Sequence, residues 1–129
     1  MTLSQAMRAS STGLAAERFR MDVISTNIAN ANSMKTPGQD AYRRKVVVLT
    51  GDENGVRIER IANDLSELRE EIEPGNPYAD GDGKVYYTNV KPIHEMVDMI
   101  GATRAYEANV AAFNSAKGMM RSALSIGDV

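Results

Sequence analysis

The side chains that could do chemistry in this sequence are few and scattered. A single histidine, His94, lies two residues after Pro92. With no second histidine and no cysteine in the 129 residues, it cannot complete a metal site or activate a nucleophile. It reads as a solvated or capping imidazole at a helix start. Glu70, Glu71 and Glu73 could form a carboxylate site, but closely spaced glutamates without a partner read as a solvated face. Asp80-Gly81-Asp82-Gly83 invites a calcium-loop reading. Setting Gly83 at the loop's glycine position puts Tyr78 at the first ligand and Asn89 at the bidentate one, both the wrong type, so the segment reads as a tight turn. Arg43-Arg44-Lys45 could meet phosphate, yet successive residues on a strand alternate faces. They read as ion-pairing or subunit-contact groups. No Gly-rich phosphate loop is present, and neither catalysis nor a cofactor is expected.

The charge balance excludes a further class. The formal net charge is -2, which argues against nucleic acid as a partner. Charge concentrates in the middle: residues 34–90 hold eight basic and eleven acidic side chains, and the two ends are sparsely charged. Seven Phe and Tyr residues with no Trp argue against a large aromatic core, and eight Met residues suit surfaces that pack in more than one way. No run of apolar residues is long enough to span a membrane, and no secretory signal stretch opens the chain.

The elements that must carry any function are therefore two helices at the ends. Met96, Met99, Thr103, Tyr106, Val110, Phe113, Lys117, Met120 and Leu124 repeat at alternating spacings of three and four. That is a heptad pattern over roughly four heptads, broken only by Thr103 and Lys117. Such a helix spans about 50 Å. Its partner is expected at the N-terminus, where Thr2 and Gln5 form a capping box and Leu3, Met7, Leu14, Met21, Ile24 and Ile28 share a face. Gly13 weakens that helix by about 1 kcal/mol relative to Ala, and Ser10 and Glu17 interrupt its face. The asparagines from Asn27 to Asn32 are expected to end it. Pro92 should open the last helix and Gly127 end it.

Residues 41–90 change character. The β-rich stretch Tyr42–Leu49, the turn cluster Asp52-Glu53-Asn54-Gly55 and the alternation that follows predict a hairpin over 42–62. Leu65–Glu73 leans towards helix by composition but is cut by Pro74-Gly75-Asn76-Pro77. A short strand is expected at Val85-Tyr86-Tyr87. The fold class is α+β: long terminal helices pairing as a coiled coil, with a small β-rich module between them. The units are 1–34, 35–90 and 91–129.

Several segments resemble a known family. Ser11-Thr12-Gly13-Leu14, the run Met21–Asn32 and Tyr42-Arg43-Arg44-Lys45 are similar to the N-terminal signature of bacterial flagellar basal-body rod proteins. Glu95–Ile100, Arg104–Asn109 and Asn114–Lys117 resemble that family's last helix, and Pro74–Pro77 and Asn89-Val90 the motifs that bracket its middle. Asn32-Ser33 stands where the family usually has Asn-Thr, Leu49 where it often has Phe, and the middle is short. The resemblance implies a structural subunit of the proximal rod, exported unfolded by the flagellar type III apparatus without a cleaved signal. It implies polymerisation into the drive shaft that crosses the periplasm. The implied partners are other rod proteins, copies of itself, and the membrane-ring and export-gate complex at the rod base.

The assembly interface is accordingly expected at Met7, Leu14, Met21, Ile24, Asn27, Ile28 and Asn30 of the first helix, and at Met96, Met99, Tyr106, Asn109, Val110, Phe113, Met120 and Leu124 of the last. The competing reading is a coiled-coil adaptor or secretion chaperone that binds one partner and does not polymerise. A small β-domain enzyme is more distant, for want of any convergent polar set.

Overall fold

Helix α1 spans Leu3–Ala29 in the structure, a computed structural model that describes residues 1–127. It begins as the sequence predicts: the Thr2 hydroxyl accepts from the Gln5 amide at 3.1 Å, and the Gln5 side chain accepts from the Thr2 amide at 2.8 Å. Two otherwise free amides are thereby closed. The far end falls within the asparagine run, as the sequence predicts. Asn27 is helical and buried, and Asn30 is the cap, its side chain donating to the Thr26 carbonyl at 2.8 Å.

The expected hairpin is present as β1 (Lys45–Asp52) and β2 (Gly55–Asn63), antiparallel. Its pairing shifts between Val48 and Leu49, leaving Glu59 as the extra residue of a bulge. Gly55 closes the turn at φ +126°, a conformation that favours glycine. Residues 42–44 precede the strand. The segment expected to lean towards helix contains a strand, β3 (Arg69–Ile72), paired antiparallel with β4 (Lys84–Tyr87). Helix propensity lost there because a stretch this short, ended by Pro74, is below the length at which a helix sustains itself, whereas β4 offers a complete ladder of backbone partners. The Asp80–Gly83 turn is as read: Asp80 Oδ1 accepts from the Asp82 and Lys84 amides, both at 2.9 Å.

Helix α2 opens at Pro92 and runs to Gly127, 36 residues or about 54 Å. The expected stop at Gly127 falls at the edge of the described residues, and Asp128 and Val129 of the expected 91–129 unit lie outside them. The two helices pack together along much of their length. Asn27 of α1 meets Glu95 of α2, and Gly13 meets Asn109, so they run antiparallel in constant register. The hairpin lies along α1 on another side. Its base touches Asn27 through Lys45, and its tip abuts Thr12, whose hydroxyl accepts from the Val56 amide at 3.1 Å. Eight strand residues cover about 26 Å and the sixteen helical residues from Thr12 to Asn27 about 24 Å, so the lengths match.

The face of α2 turned to α1 differs from the expected one. Its buried positions are Glu95, Ala102 and Ala116, interleaved with half-buried Met99, Tyr106, Asn109, Phe113 and Met120. Met99, Tyr106, Phe113 and Met120 are the expected row. The second row is displaced by one residue, so Met96 and Leu124 are exposed, and Thr103 and Val110 stand at the flank. Close approach is the reason. A Cβ on Gly13 would come within 2.8–2.9 Å of the Asn109 side chain. Helices that near to each other accept Gly and Ala at the crossing and push large side chains aside. Gly13, read as a weakness of α1, is what permits the contact.

Candidate functional site

The densest chemistry in the molecule forms where α1 ends, β1 begins and α2 starts. Pro92 pre-sets the first turn of α2, and the Glu95 amide bonds to the Lys91 carbonyl at 3.1 Å. A carboxylate in that turn is favoured by the positive end of the helix dipole. Glu95 is 0% exposed. A buried carboxylate is costly unless paired, and Arg44, just before β1, pairs with it through Nε. The same guanidinium reaches Asp64 Oδ2 at 3.3 Å and Asp98 Oδ2 at 3.0 Å. Burial alone would lower the Arg44 pKa. The bond to Glu95 and its charge, the bond to Asp64 and the charge of Asp98 outweigh burial and raise it further above its usual high value.

Two asparagines hold this ion cluster in place. Asn27, 1% exposed, donates to the Lys45 carbonyl at 2.9 Å and to Glu95 Oε2 at 3.2 Å. Its oxygen accepts from the Lys45 amide at 3.0 Å and the Tyr42 hydroxyl at 2.8 Å. Asn89, ahead of α2, accepts from the Arg44 amide at 2.7 Å and donates to the Asp64 and Ser66 carbonyls at 3.0 and 3.2 Å. The Ser66 amide in turn donates to Asp64 at 2.9 Å, an Asx turn that presents Asp64 to Arg44. The bonds from Ser66, with that from Arg44, hold the Asp64 pKa below the usual carboxylate range. Burial, then the Glu95 charge, raises that of the Tyr42 hydroxyl. A cleft of about 370 Å³ opens beside the cluster, with Lys91 and exposed His94 on its rim.

This arrangement binds the chain to itself. Asp64, Glu95 and Asp98 all share Arg44 as partner within the protomer, and among the described residues no group of three or more His, Cys, Asp or Glu is placed to hold a metal ion. Among the described residues, no helix is long and apolar enough to cross a membrane. Of the basic triplet, Arg44 forms the ion pairs the sequence suggested. Lys45 reaches Asn63 at 3.0 Å, and Arg43 bonds the Ser66 carbonyl at 3.0 Å. Glu70 is exposed but lies 3.7 Å from Lys84 Nζ across the ribbon, whereas Glu73 accepts from Tyr87 and Asn76 and fastens the β3–β4 ribbon to its turn.

The expected interface residues divide into groups. Asn27 is an internal bond-former and not a cap, and Ile24 is buried; neither offers its side chain to a neighbour. Met7, Leu14, Met21, Ile28 and Asn30 on α1, and Met99, Tyr106, Asn109, Val110, Phe113 and Met120 on α2, are half-buried. Met96 and Leu124 are exposed, as are Ile93, Val97, Ile100, Met119 and Ile126, which the sequence reading did not single out. It missed Asp64, and it took Glu95 and Asn89 only as parts of family-like motifs, with no role of their own. The available signal was spacing alone: Glu95, Met99, Ala102, Tyr106, Asn109, Phe113, Ala116 and Met120 repeat four and three as regularly as the apolar series does.

Comparison with known proteins accounts for this pattern. Residues 7–38 match the family described as flagella basal body rod protein, and residues 82–126 the C-terminal family of flagellar basal body rod FlgEFG proteins. The flagellar basal-body rod protein FlgC of Borreliella burgdorferi is 40% identical over 149 aligned positions, covering 98% of each chain. Those of Bacillus subtilis and Yersinia enterocolitica are 37% and 38% identical, covering 98% of this chain and 99% of theirs. The chain belongs to the FlgC family of flagellar basal-body rod proteins. It is thus a structural rod subunit, as the sequence resemblance implied. The two family-matched segments of this FlgC-family chain meet in the ion cluster, Asn27 coming from one and Asn89, Glu95 and Asp98 from the other. Arg44 joins them from between. Alignments of 149 positions to a 129-residue chain mean that the Borreliella and Bacillus relatives carry insertions.

Proposed function

We propose that this subunit builds the proximal rod by polymerising through α1 and α2, and that the β-rich unit 35–90 sits outside the tube formed by 1–34 and 91–129. In this reading the two helices act as a coiled-coil pair within each subunit. Met7, Leu14, Met21 and Ile28, with Met96, Met99, Tyr106, Val110, Phe113, Met120 and Leu124, bring apolar surface to the seams between subunits. Asn30 and Asn109 lie beside those seams, and Asn27 serves them by fixing α1 against the ion cluster. The observation that carries the proposal is the contrast along α2. Its inner face carries buried Glu95, Ala102 and Ala116 between half-buried larger side chains, while Ile93, Met96, Val97, Ile100, Met119, Leu124 and Ile126 stand exposed on its other sides. A chain that presents such surface on a long helix is suited to open, heterologous assembly.

The role is structural and calls for no cofactor. The partners would be other rod proteins, copies of itself, and the membrane-ring and export-gate complex at the base. The subunit would leave the cytoplasm unfolded through the flagellar type III apparatus, without a cleaved signal, and end in the periplasm-spanning shaft. Cells carrying deletions of residues 1–20 or 110–129 test this. Both should be non-motile, with the first protein retained in the cytoplasm and the second exported but unassembled, as followed by antibody in cell fractions. A working flagellum from either deletion would overturn the role given to the helices. A non-polymerising adaptor would leave full-length protein out of purified basal bodies.

A further inference from the structure

The hairpin is fastened to α1 by unlike means at its two ends. At the base, Lys45 presents both its amide and its carbonyl to the Asn27 side chain, at 3.0 and 2.9 Å, so the outer edge of β1 faces the helix. Asn27 is buried and also bonds Glu95 and Tyr42, which makes this clamp part of the ion cluster. At the tip the other strand does the docking. Val56 of β2 donates its amide to the Thr12 hydroxyl at 3.1 Å, and that hydroxyl donates on to the Ala9 carbonyl at 2.8 Å. The hairpin therefore crosses α1 obliquely, with a different edge down at each end, and twists between them. The bulge at Glu59 lies in that stretch; it adds twist and leaves one residue out of the ladder.

The tip is seated closely and held weakly. A Cβ on Gly55 would collide with the Thr12 hydroxyl and lie 3.2 Å from the Ala9 Cα, so backbone rests against backbone there. Yet no residue from Leu49 to Ile58 is buried, Gly51 to Asn54 stand exposed, and a cleft of about 210 Å³ opens beside Thr12 and Val56. The single neutral hydrogen bond to Thr12 favours the docked tip by a net factor of only about five. Beneath the tip, Ser10-Ser11-Thr12-Gly13 is a poor helix-forming stretch that gains from anything packed on it.

We infer that the hairpin is a strap with a releasable tip. Residues 49–58 swing off α1 about the Glu59 bulge while the Asn27 clamp holds the base, and Thr12 is the latch. Closed, the strap supports the weak turn of α1 from Ala9 to Gly13. Released, it leaves that turn to its own low helix propensity, so the order of this part of α1 follows the state of the tip.

Hydrogen exchange on the full-length protein, resolved to single amides by NMR, reads the latch directly. The Val56 amide is bonded to α1 and not to β1, so it exchanges when the tip lifts. Thr12→Val keeps the shape of the side chain and removes the acceptor. Exchange at Val56 should rise about fivefold, the factor that one neutral hydrogen bond supplies. The amides of Gly13 to Ala16, which bond back to Ala9 to Thr12 along the helix, should speed up with it. The amides of Lys45 and Asp64 at the base should keep their wild-type rates. Thr12→Ser, which restores the hydroxyl, should return Val56 towards its wild-type rate. Gly55→Ala pushes the tip off from the hairpin side with α1 unaltered, and should reproduce the pattern of Thr12→Val. Unchanged exchange at Val56 in Thr12→Val would overturn the latch. An equal rise at Lys45 and Asp64 would mean that the hairpin opens as a whole and would overturn the hinge. A rise at Val56 with no change from Gly13 to Ala16 would show that the tip does not govern α1, and would overturn the coupling.

Discussion

The two ends of the helix pair are built on opposite principles. At one, Asn27, Arg44, Asp64, Asn89, Glu95 and Asp98 satisfy one another so fully that α1, the hairpin and α2 are tied at a single point. At the other, α2 continues past α1 with Leu124 and Ile126 in solvent and no hairpin alongside. Buried polar networks are directional and admit one geometry, so they suit a subunit's internal frame. Exposed apolar surface is non-directional and gains most from being covered by something else. The difference separates the part of the chain that defines the subunit from the part that awaits neighbours.

The comparison is broken most severely at the closed end. Replacing Arg44 by Ala leaves Glu95 buried and unpaired, and should destabilise the monomer by about 3–5 kcal/mol in urea unfolding. Loss below about 1 kcal/mol would show that the cluster is well hydrated and does not hold the frame. Between the ends, Gly13→Ala pushes a methyl against Asn109 and should cost about 1–3 kcal/mol, the usual range for overpacking. Adding Asn109→Ala should recover much of that loss, a coupling that a double-mutant cycle reads directly.

Hydrogen exchange on dilute monomer sharpens the contrast without mutation. Amides of residues 14–29, 45–63 and 96–109 should exchange slowly, and those of 4–11 and 116–126 fast, because local opening follows the density of tertiary support. Uniform protection along α2 would make the overhang a self-sufficient helix.

Acid should act next. The pKa values of Asp64, Glu73 and Asp80 are held down by hydrogen bonds, first from Ser66, Asn76 and the Lys84 amide respectively. Groups depressed in the folded state contribute stability that is complete above their unfolded values, near 3.9–4.3, and is lost as pH falls below them. Thermal unfolding followed by circular dichroism should therefore show a fall in Tm beginning below about pH 4, and a fall starting near pH 6 would contradict this. The smallest effect is expected at His94, exposed on the cleft rim: His94→Ala should stay within about 0.5 kcal/mol and leave motility intact.

What residue order alone decided is local. The Thr2–Gln5 cap, the start of α2 at Pro92, the hairpin turning before Gly55 and the Asp80–Gly83 turn each depend on a few neighbouring residues with fixed backbone preferences, and all are where the sequence places them. So is the shared row of Met99, Tyr106, Phe113 and Met120, since helical period is a property of the chain. The tertiary structure decided what those preferences leave open. It made a strand of Arg69–Ile72, because a ladder to β4 outweighed weak helix propensity. It turned α2 by one residue so that Ala102, Asn109 and Ala116 face α1, because the closest approach of two helices selects small side chains over apolar ones. It made Asn27 and Glu95 the centre of the molecule, because a buried polar group is tolerable only where partners distant in sequence converge on it, and no spacing along a single segment announces that convergence.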